Sequence, residues 1–185
     1  IGRALVSLLR EDDAFAEVIA LSRVSTPALD LLSEPGIVAA AAHVASRGLA
    51  LRLVFDATGF LHGEGVMPEK SWSQIDPDSM ALAFRLNAIG PALLIKHFLP
   101  VLAAEGRSVF ATLSARVGSI GDNRLGGWYS YRASKAALNQ IVRTAAIELR
   151  RRRPEAICVA LHPGTVESRL SAPFGKHSLN VRSPE

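Results

Sequence analysis

The clearest chemistry in the sequence lies in Tyr131-Arg132-Ala133-Ser134-Lys135, a phenol and an ammonium four positions apart. On a helix, residues at that spacing share a face, so the two groups point the same way. A free phenol, with a pKa of about 10, is a poor base at neutral pH, and a fixed positive charge beside it favours the phenolate. Such a pair suits proton transfer to or from an oxygen atom near pH 7. Alone, the spacing is a weak signal, because a surface tyrosine beside a solvated lysine reads the same way. Tyr129 is not a second candidate, since the residue four positions on is Ala133.

The elements that must hold this pair can be read around it. Glu17 to Ser22, Leu51 to Asp56, Val109 to Ser114 and Ala156 to His162 are short apolar runs without polar alternation, as expected of parallel strands covered on both faces. Between them lie helical stretches with start signals. Ser33 precedes Pro35 and an alanine-rich run ending near Gly48, Asp76-Pro77 opens a helix running towards Glu105-Gly106, and a third helix spans about Tyr129 to Arg152. This alternation predicts an α/β fold, a Rossmann-like doubly wound parallel sheet flanked by helices. Hydroxyls at a strand end (Ser114, then Ser119) and the turn His162-Pro163-Gly164-Thr165-Val166-Glu167-Ser168 would fall at the C-terminal edge, where such sheets bind ligands.

The ordered set of Leu51–Asp56 ending in Ala57-Thr58-Gly59, Asn87 on the next helix, Ser114 at a strand end, Tyr131 with Lys135, then Pro163-Gly164, resembles the short-chain dehydrogenase/reductase family. The segments S-A-R-V-G-S-I-G-D-N and G-G-W-Y-S-Y-R-A-S-K look like its C-factor-like and sniffer-like carbonyl reductase branch. The resemblance implies an NAD(P)-dependent oxidoreductase moving hydride between a nicotinamide and a carbonyl or alcohol carbon. It implies Tyr131 as acid/base, Lys135 as the lysine that lowers the tyrosine pKa and holds the nicotinamide ribose, and Asn87 as an anchor in a proton relay. Ser114 is the first choice for the substrate-orienting serine and Ser119 the second, because Ala115 stands where the family commonly has another serine. Cofactor contacts are implied for Gly2, the remnant of a glycine-rich phosphate loop, for Ala57, Thr58 and Gly59, for Tyr131 and Lys135, and for Pro163, Gly164, Val166 and Ser168. Asp30-Leu31 resembles the pair that contacts adenine. The family has Asn-Asn-Ala-Gly where this chain has Asp56-Ala57-Thr58-Gly59. The first strand and glycine-rich loop are thus expected to be largely missing, with residues 1–185 forming one domain incomplete at both ends and the tail from Phe174 to Glu185 offering no strand-like run.

After Glu17 to Ser22 an NAD-preferring site would carry an acidic residue, whereas this chain has Ser22-Arg23. A guanidinium there suits a 2′-phosphate, so NADP(H) is expected over NAD(H). Arg3 is either a second cation for that phosphate or a solvated helix residue. The five histidines, His43, His62, His97, His162 and His177, have no metal-ligand spacing, so no metal is expected. The single cysteine, Cys158, reads as a small core residue and fits a reducing, cytoplasmic setting.

The net charge is +4, but the basic run Arg150 to Arg153 closes a helix and is not interleaved with aromatics, so nucleic acid is not expected as a partner. No apolar run looks long enough to cross a membrane. A homodimer or homotetramer acting on a small molecule is expected, and Leu138, Ile141 and Ala145 suit either a partner face or the sheet. Two rivals remain on the same fold: an epimerase or dehydratase with a further substrate domain, and a non-catalytic nucleotide-sensing or C-factor-like signalling protein.

Overall fold

The computed structural model describes residues 1–63, 65–168, 170–174 and 181–183; His177 lies outside them. The sheet has three parallel strands in sequential order, β1 (Leu53–Asp56), β2 (Ser108–Leu113) and β3 (Ala156–Leu161). Val54, Phe110 and Cys158 form one row across it, in register. That row belongs to a cluster with Leu94 and Phe98 of α4 (Gly90–Phe98), Ile37 of α2 (Glu34–Ala45), and Leu138 and Val142 of α5 (Tyr129–Arg152). The result is a parallel sheet flanked by helices, as the alternation of elements predicts. Cys158 is buried as expected, and burial pushes its thiol up to about 11, away from thiolate chemistry.

Helix starts follow local chemistry. The Ser33 side chain accepts from Gly36 N at 3.2 Å ahead of α2, and Asp76 accepts from Ser79 N at 2.7 Å ahead of α3 (Pro77–Phe84). That bond holds the Asp76 carboxyl below its ordinary range. The third helical stretch matches its expected limits, and α1 (Gly2–Arg10) opens the chain. Between α3 and α4 the chain continues as a π-helical turn, Arg85–Ile89, which the sequence does not announce.

Several expectations are corrected. Glu17 to Ser22 forms no strand, because a ladder needs a neighbour and the described sheet ends at β1; its backbone instead meets local groups, with Leu29 N donating to Ser22 O at 2.8 Å. The helix opened by Asp76 ends at Phe98 rather than near Glu105, since Pro100 disfavours helical geometry just before it. The tail does hold a short strand: β5 (Val181–Arg182) pairs in parallel with β4 (Thr165–Val166). On the sheet face opposite the core row, Ile157 and Leu161 stay 43% and 38% exposed, so cover is one-sided there, and α1 buries no residue. The continuous helix Pro77–Phe98 is long and apolar enough to span a bilayer by length and composition, contrary to the reading of the sequence; here Leu94, Ile95 and Phe98 pack it into the core.

Leu138 is fully buried, and Ile141 and Ala145 pack against the same cluster, so these three face the core. Of the basic run, Arg153 donates to the carbonyls of Leu99, Pro100 and Leu102 beyond the end of α4. Its charge therefore serves a helix terminus, as the dipole favours.

Candidate active site

Tyr131 and Lys135 occupy the first two turns of α5, both nearly buried at 9% and 3% exposure. The lysine Nζ sits 5.9 Å from the tyrosine ring centroid and donates to Leu113 O, at the C-terminal end of β2, at 2.8 Å. Burial lowers the Lys135 pKa to about 8, against the opposing pull of the Asp56 carboxylate. Burial also pushes the Tyr131 phenol up to about 12. The expectation of a phenol lowered by its lysine is therefore not met here, because loss of water outweighs a charge that lies beside the ring. The Tyr131 hydroxyl has no hydrogen bond to a described residue, yet no buried side-chain polar atom among the described residues lacks a partner. The ring that carries it is nearly buried.

A polar cluster supports this pair. Asn87, in the π-helical turn and fully buried, accepts from Phe60 N at 2.8 Å and donates to Phe60 O at 2.7 Å. It also donates to Ser134 Oγ at 3.1 Å, and Ser134 in turn donates to Tyr131 O at 3.0 Å. One asparagine therefore ties the loop after β1 to the helix that carries Tyr131. Asp56, where the family has asparagine, is a satisfied buried carboxylate: Thr112 Oγ1 donates to it at 2.7 Å, Thr58 N at 2.9 Å and Thr58 Oγ1 at 2.6 Å. This fixes Thr58 beside Gly59, at which an added Cβ would lie 3.9 Å from Lys135 Nζ. Gly2, at the start of α1, packs against Ala57; a Cβ there would come within 3.1 Å of Ala57 Cβ.

Ser114 donates to Asn139 Oδ1 at 2.6 Å, one turn beyond Lys135. Ser119 is exposed, after a short 3-10 turn whose Gly118 has no room for a side chain against the Lys135 backbone. Neither serine reaches the Tyr131 hydroxyl. On the far side of β3, Gly164 turns at φ +80, Val166 is buried, and the Ser168 and Ser171 hydroxyls lie 3.2 Å apart. Pro163 precedes that glycine in the turn out of β3. Arg23 is exposed, and no described residue forms an ion pair with it. The Asp30 carboxylate accepts from Leu32 N at 2.9 Å, whereas Leu31 is turned into the core against Gly90. Among the described residues no cluster of His, Cys, Asp or Glu could hold a metal ion.

Sequence reasoning missed Glu69, Ser134, Thr112 and Trp128. The Trp128 ring meets Tyr131 edge-on at 6.2 Å and Phe174 at 5.1 Å. Glu69 has a signal of an indirect kind: α5 opens on Gly127-Trp128, with no Ser, Thr, Asp or Asn to cap it, so an acceptor must come from elsewhere.

Residues 4–181 match the family model described as enoyl-(acyl carrier protein) reductase. With the parallel sheet and this site, that places the chain in the short-chain dehydrogenase/reductase family of oxidoreductases. It is similar to a 1-hydroxy-2-glutathionyl-2-methyl-3-butene dehydrogenase of Rhodococcus sp. (strain AD45), 34% identical over 88% of this chain and 68% of that one. A second relative, C-signal of Myxococcus xanthus, is 40% identical over 54% of this chain and 58% of its own length. Among solved structures, NADPH-bound carbonyl reductase from chicken fatty liver superposes with a TM-score of 0.70 at 29% identity. That match covers 84% of this chain and 63% of the reductase, so the chain spans less than two thirds of that protein.

Proposed function

We propose that the protein is an NAD(P)-dependent oxidoreductase that interconverts a small-molecule carbonyl and alcohol, with NADP(H) favoured over NAD(H). The observation that carries this reading is the Tyr131–Lys135 pair, a buried phenol beside a buried ammonium, at the C-terminal edge of a parallel sheet. The residues present fit a nicotinamide dinucleotide. Gly2 fits closely against Ala57, Lys135 lies beside Gly59, and Arg23 is an exposed guanidinium with no ion-pair partner among the described residues. Gly2, Ala57, Thr58, Gly59, Lys135, Pro163, Gly164, Val166 and Ser168 would hold the group, Arg23 its 2′-phosphate, and Asp30 its adenine side, whereas Leu31 faces the core. Bound there, the nicotinamide supplies or accepts the hydride.

In the reducing direction Tyr131 gives its proton to the substrate oxygen. Burial keeps the phenol protonated until it is needed, and Lys135, as ammonium below about pH 8, eases the phenolate left behind. Ser114 now commits its proton to Asn139, so orienting a substrate oxygen requires that hydroxyl to rotate. Asn87 holds the loop and helix in register. We read residues 1–185 as one cytoplasmic domain that works as a homodimer or homotetramer.

A second reading is a nucleotide-binding signalling protein on the same fold, favoured by the 40% identity to C-signal. Turnover separates the two. The full-length protein is expected to oxidise NADPH in the presence of an aldehyde, ketone or quinone. Tight NADPH binding with no carbonyl reduced across such a panel would shift the assignment to the signalling reading.

A further inference from the structure

Resting on the oxidoreductase reading, we propose that Glu69 is a positioning residue for Tyr131, acting as the N-terminal cap that α5 lacks in its own sequence. A helix start leaves its first N–H groups without partners inside the helix. The residue before α5, Trp128, sits at φ 54, makes no side-chain capping bond, and is followed by no acidic residue in the first turn. Glu69, distant in sequence and only 5% exposed, fills that gap. Its two carboxylate oxygens accept from Ser130 N at 3.3 and 3.2 Å, and Ser130 Oγ donates to the same carboxylate.

The backbone of the same residue holds the approach to the helix. Glu69 O accepts from Trp128 N at 2.5 Å, and Gly127, at φ +64, lies so close that an added Cβ would be 3.2 Å from that oxygen. One residue thus grips positions 128 and 130, and Tyr131 follows directly. A carboxylate at this end also complements the dipole of a 24-residue helix.

The grip is selective. Lys135 is held separately, one turn further on, by Leu113 O at 2.8 Å, and the loop that meets Gly2 is held by Asp56 and Asn87. Removing the Glu69 carboxylate therefore loosens the helix start at Ser130, next to the phenol, while the Ser134 bond to Tyr131 O, the ammonium and the cofactor side keep their own partners. Turnover, rather than cofactor affinity, should carry the effect.

The test compares Glu69→Ala, Glu69→Gln and wild type in the full-length protein. The readouts are kcat and KM for a reduced carbonyl, NADPH Kd with binding stoichiometry, and amide hydrogen exchange at Ser130 and Tyr131. Misplacing a reacting group by about 1 Å can reduce rate about 100-fold. Glu69→Ala is accordingly expected to lower kcat by about 10- to 100-fold, with KM and NADPH Kd changed by no more than about twofold and faster exchange at both amides. Glu69→Gln keeps one acceptor oxygen and is expected to recover kcat to within about fivefold of wild type. An unchanged kcat in Glu69→Ala overturns the proposal. So does a loss of kcat in proportion to lost NADPH sites, which marks a purely structural role. If Glu69→Ala does not fold, Ser130→Ala with Glu69→Gln carries the same comparison, and wild-type kcat in both overturns it. If wild type turns over no carbonyl, the oxidoreductase reading fails by itself; exchange at Ser130 and Tyr131 then still decides whether Glu69 holds the helix start.

Discussion

The two sides of the proposed site are built differently. Under Tyr131 lies a buried, matched polar network: Asn87 and Ser134 are fully buried, Asp56 takes three donors, and Lys135 is 3% exposed. On the nucleotide side, Ser22 to Leu32 is held mainly by short-range turns such as Ser22 N to Ser25 Oγ at 2.8 Å, Arg23 stands in water, and α1 buries nothing. The contrast teaches where each part of the work is done. Proton transfer needs groups fixed to within fractions of an ångström, which a satisfied buried network supplies. Capture of a charged phosphate needs an accessible cation, and long-range order adds little to it.

The comparison breaks most visibly at Asn87. Asn87→Leu keeps the branched shape but leaves Phe60 N–H and Phe60 O without their partner and takes one donor from Ser134 Oγ, which keeps its bond to Tyr131 O. The expected loss is about 3–5 kcal/mol in chemical denaturation, since each abandoned buried partner costs about 1–3 kcal/mol.

Lys135 is the next largest effect and has the opposite sign. Its pKa falls from 10.5 in the unfolded chain to about 8 in the native one. Between those values the unfolded chain binds the proton that the native chain has already released, so stability rises with pH across that window. Below it, the buried ammonium opposes folding by about 3 kcal/mol. Tyr131, raised to about 12, works the other way only from about pH 10 upward. Lys135→Met should flatten the rise between pH 8 and 10, stabilise the protein at neutral pH, and abolish turnover. A melting series across that range checks the sign.

The exposed side gives the smallest effect. Arg23→Ala is expected to weaken NADPH binding about tenfold, about 1.4 kcal/mol, with NADH binding and thermal stability unchanged. Calorimetric titration with both nucleotides reads the difference.

The same divide governs what could be read from the sequence. Tyr131 and Lys135 were legible because helical spacing is local, and Ser33 and Asp76 were legible as caps because their partners lie three residues on. Glu69 was not, since its partner lies 61 positions away and nothing near it in sequence needs a carboxylate. Glu17 to Ser22 has the composition of a strand, but composition does not supply a neighbour to pair with. Leu138, Ile141 and Ala145 carried a periodicity that fits a core and an interface equally, and only the packing chose between them. The direction of the Tyr131 shift depended on burial set against charge, which spacing alone does not weigh.

Tyr131 is the proposed proton donor of a carbonyl reduction that uses NADPH. The most direct measurement compares NADPH-dependent carbonyl reduction and NADPH affinity in wild type and Tyr131→Phe. A loss of turnover of about 100- to 10,000-fold is expected, the span of general acid catalysis, with NADPH affinity within about twofold of wild type. Turnover in Tyr131→Phe equal to that of wild type would contradict it.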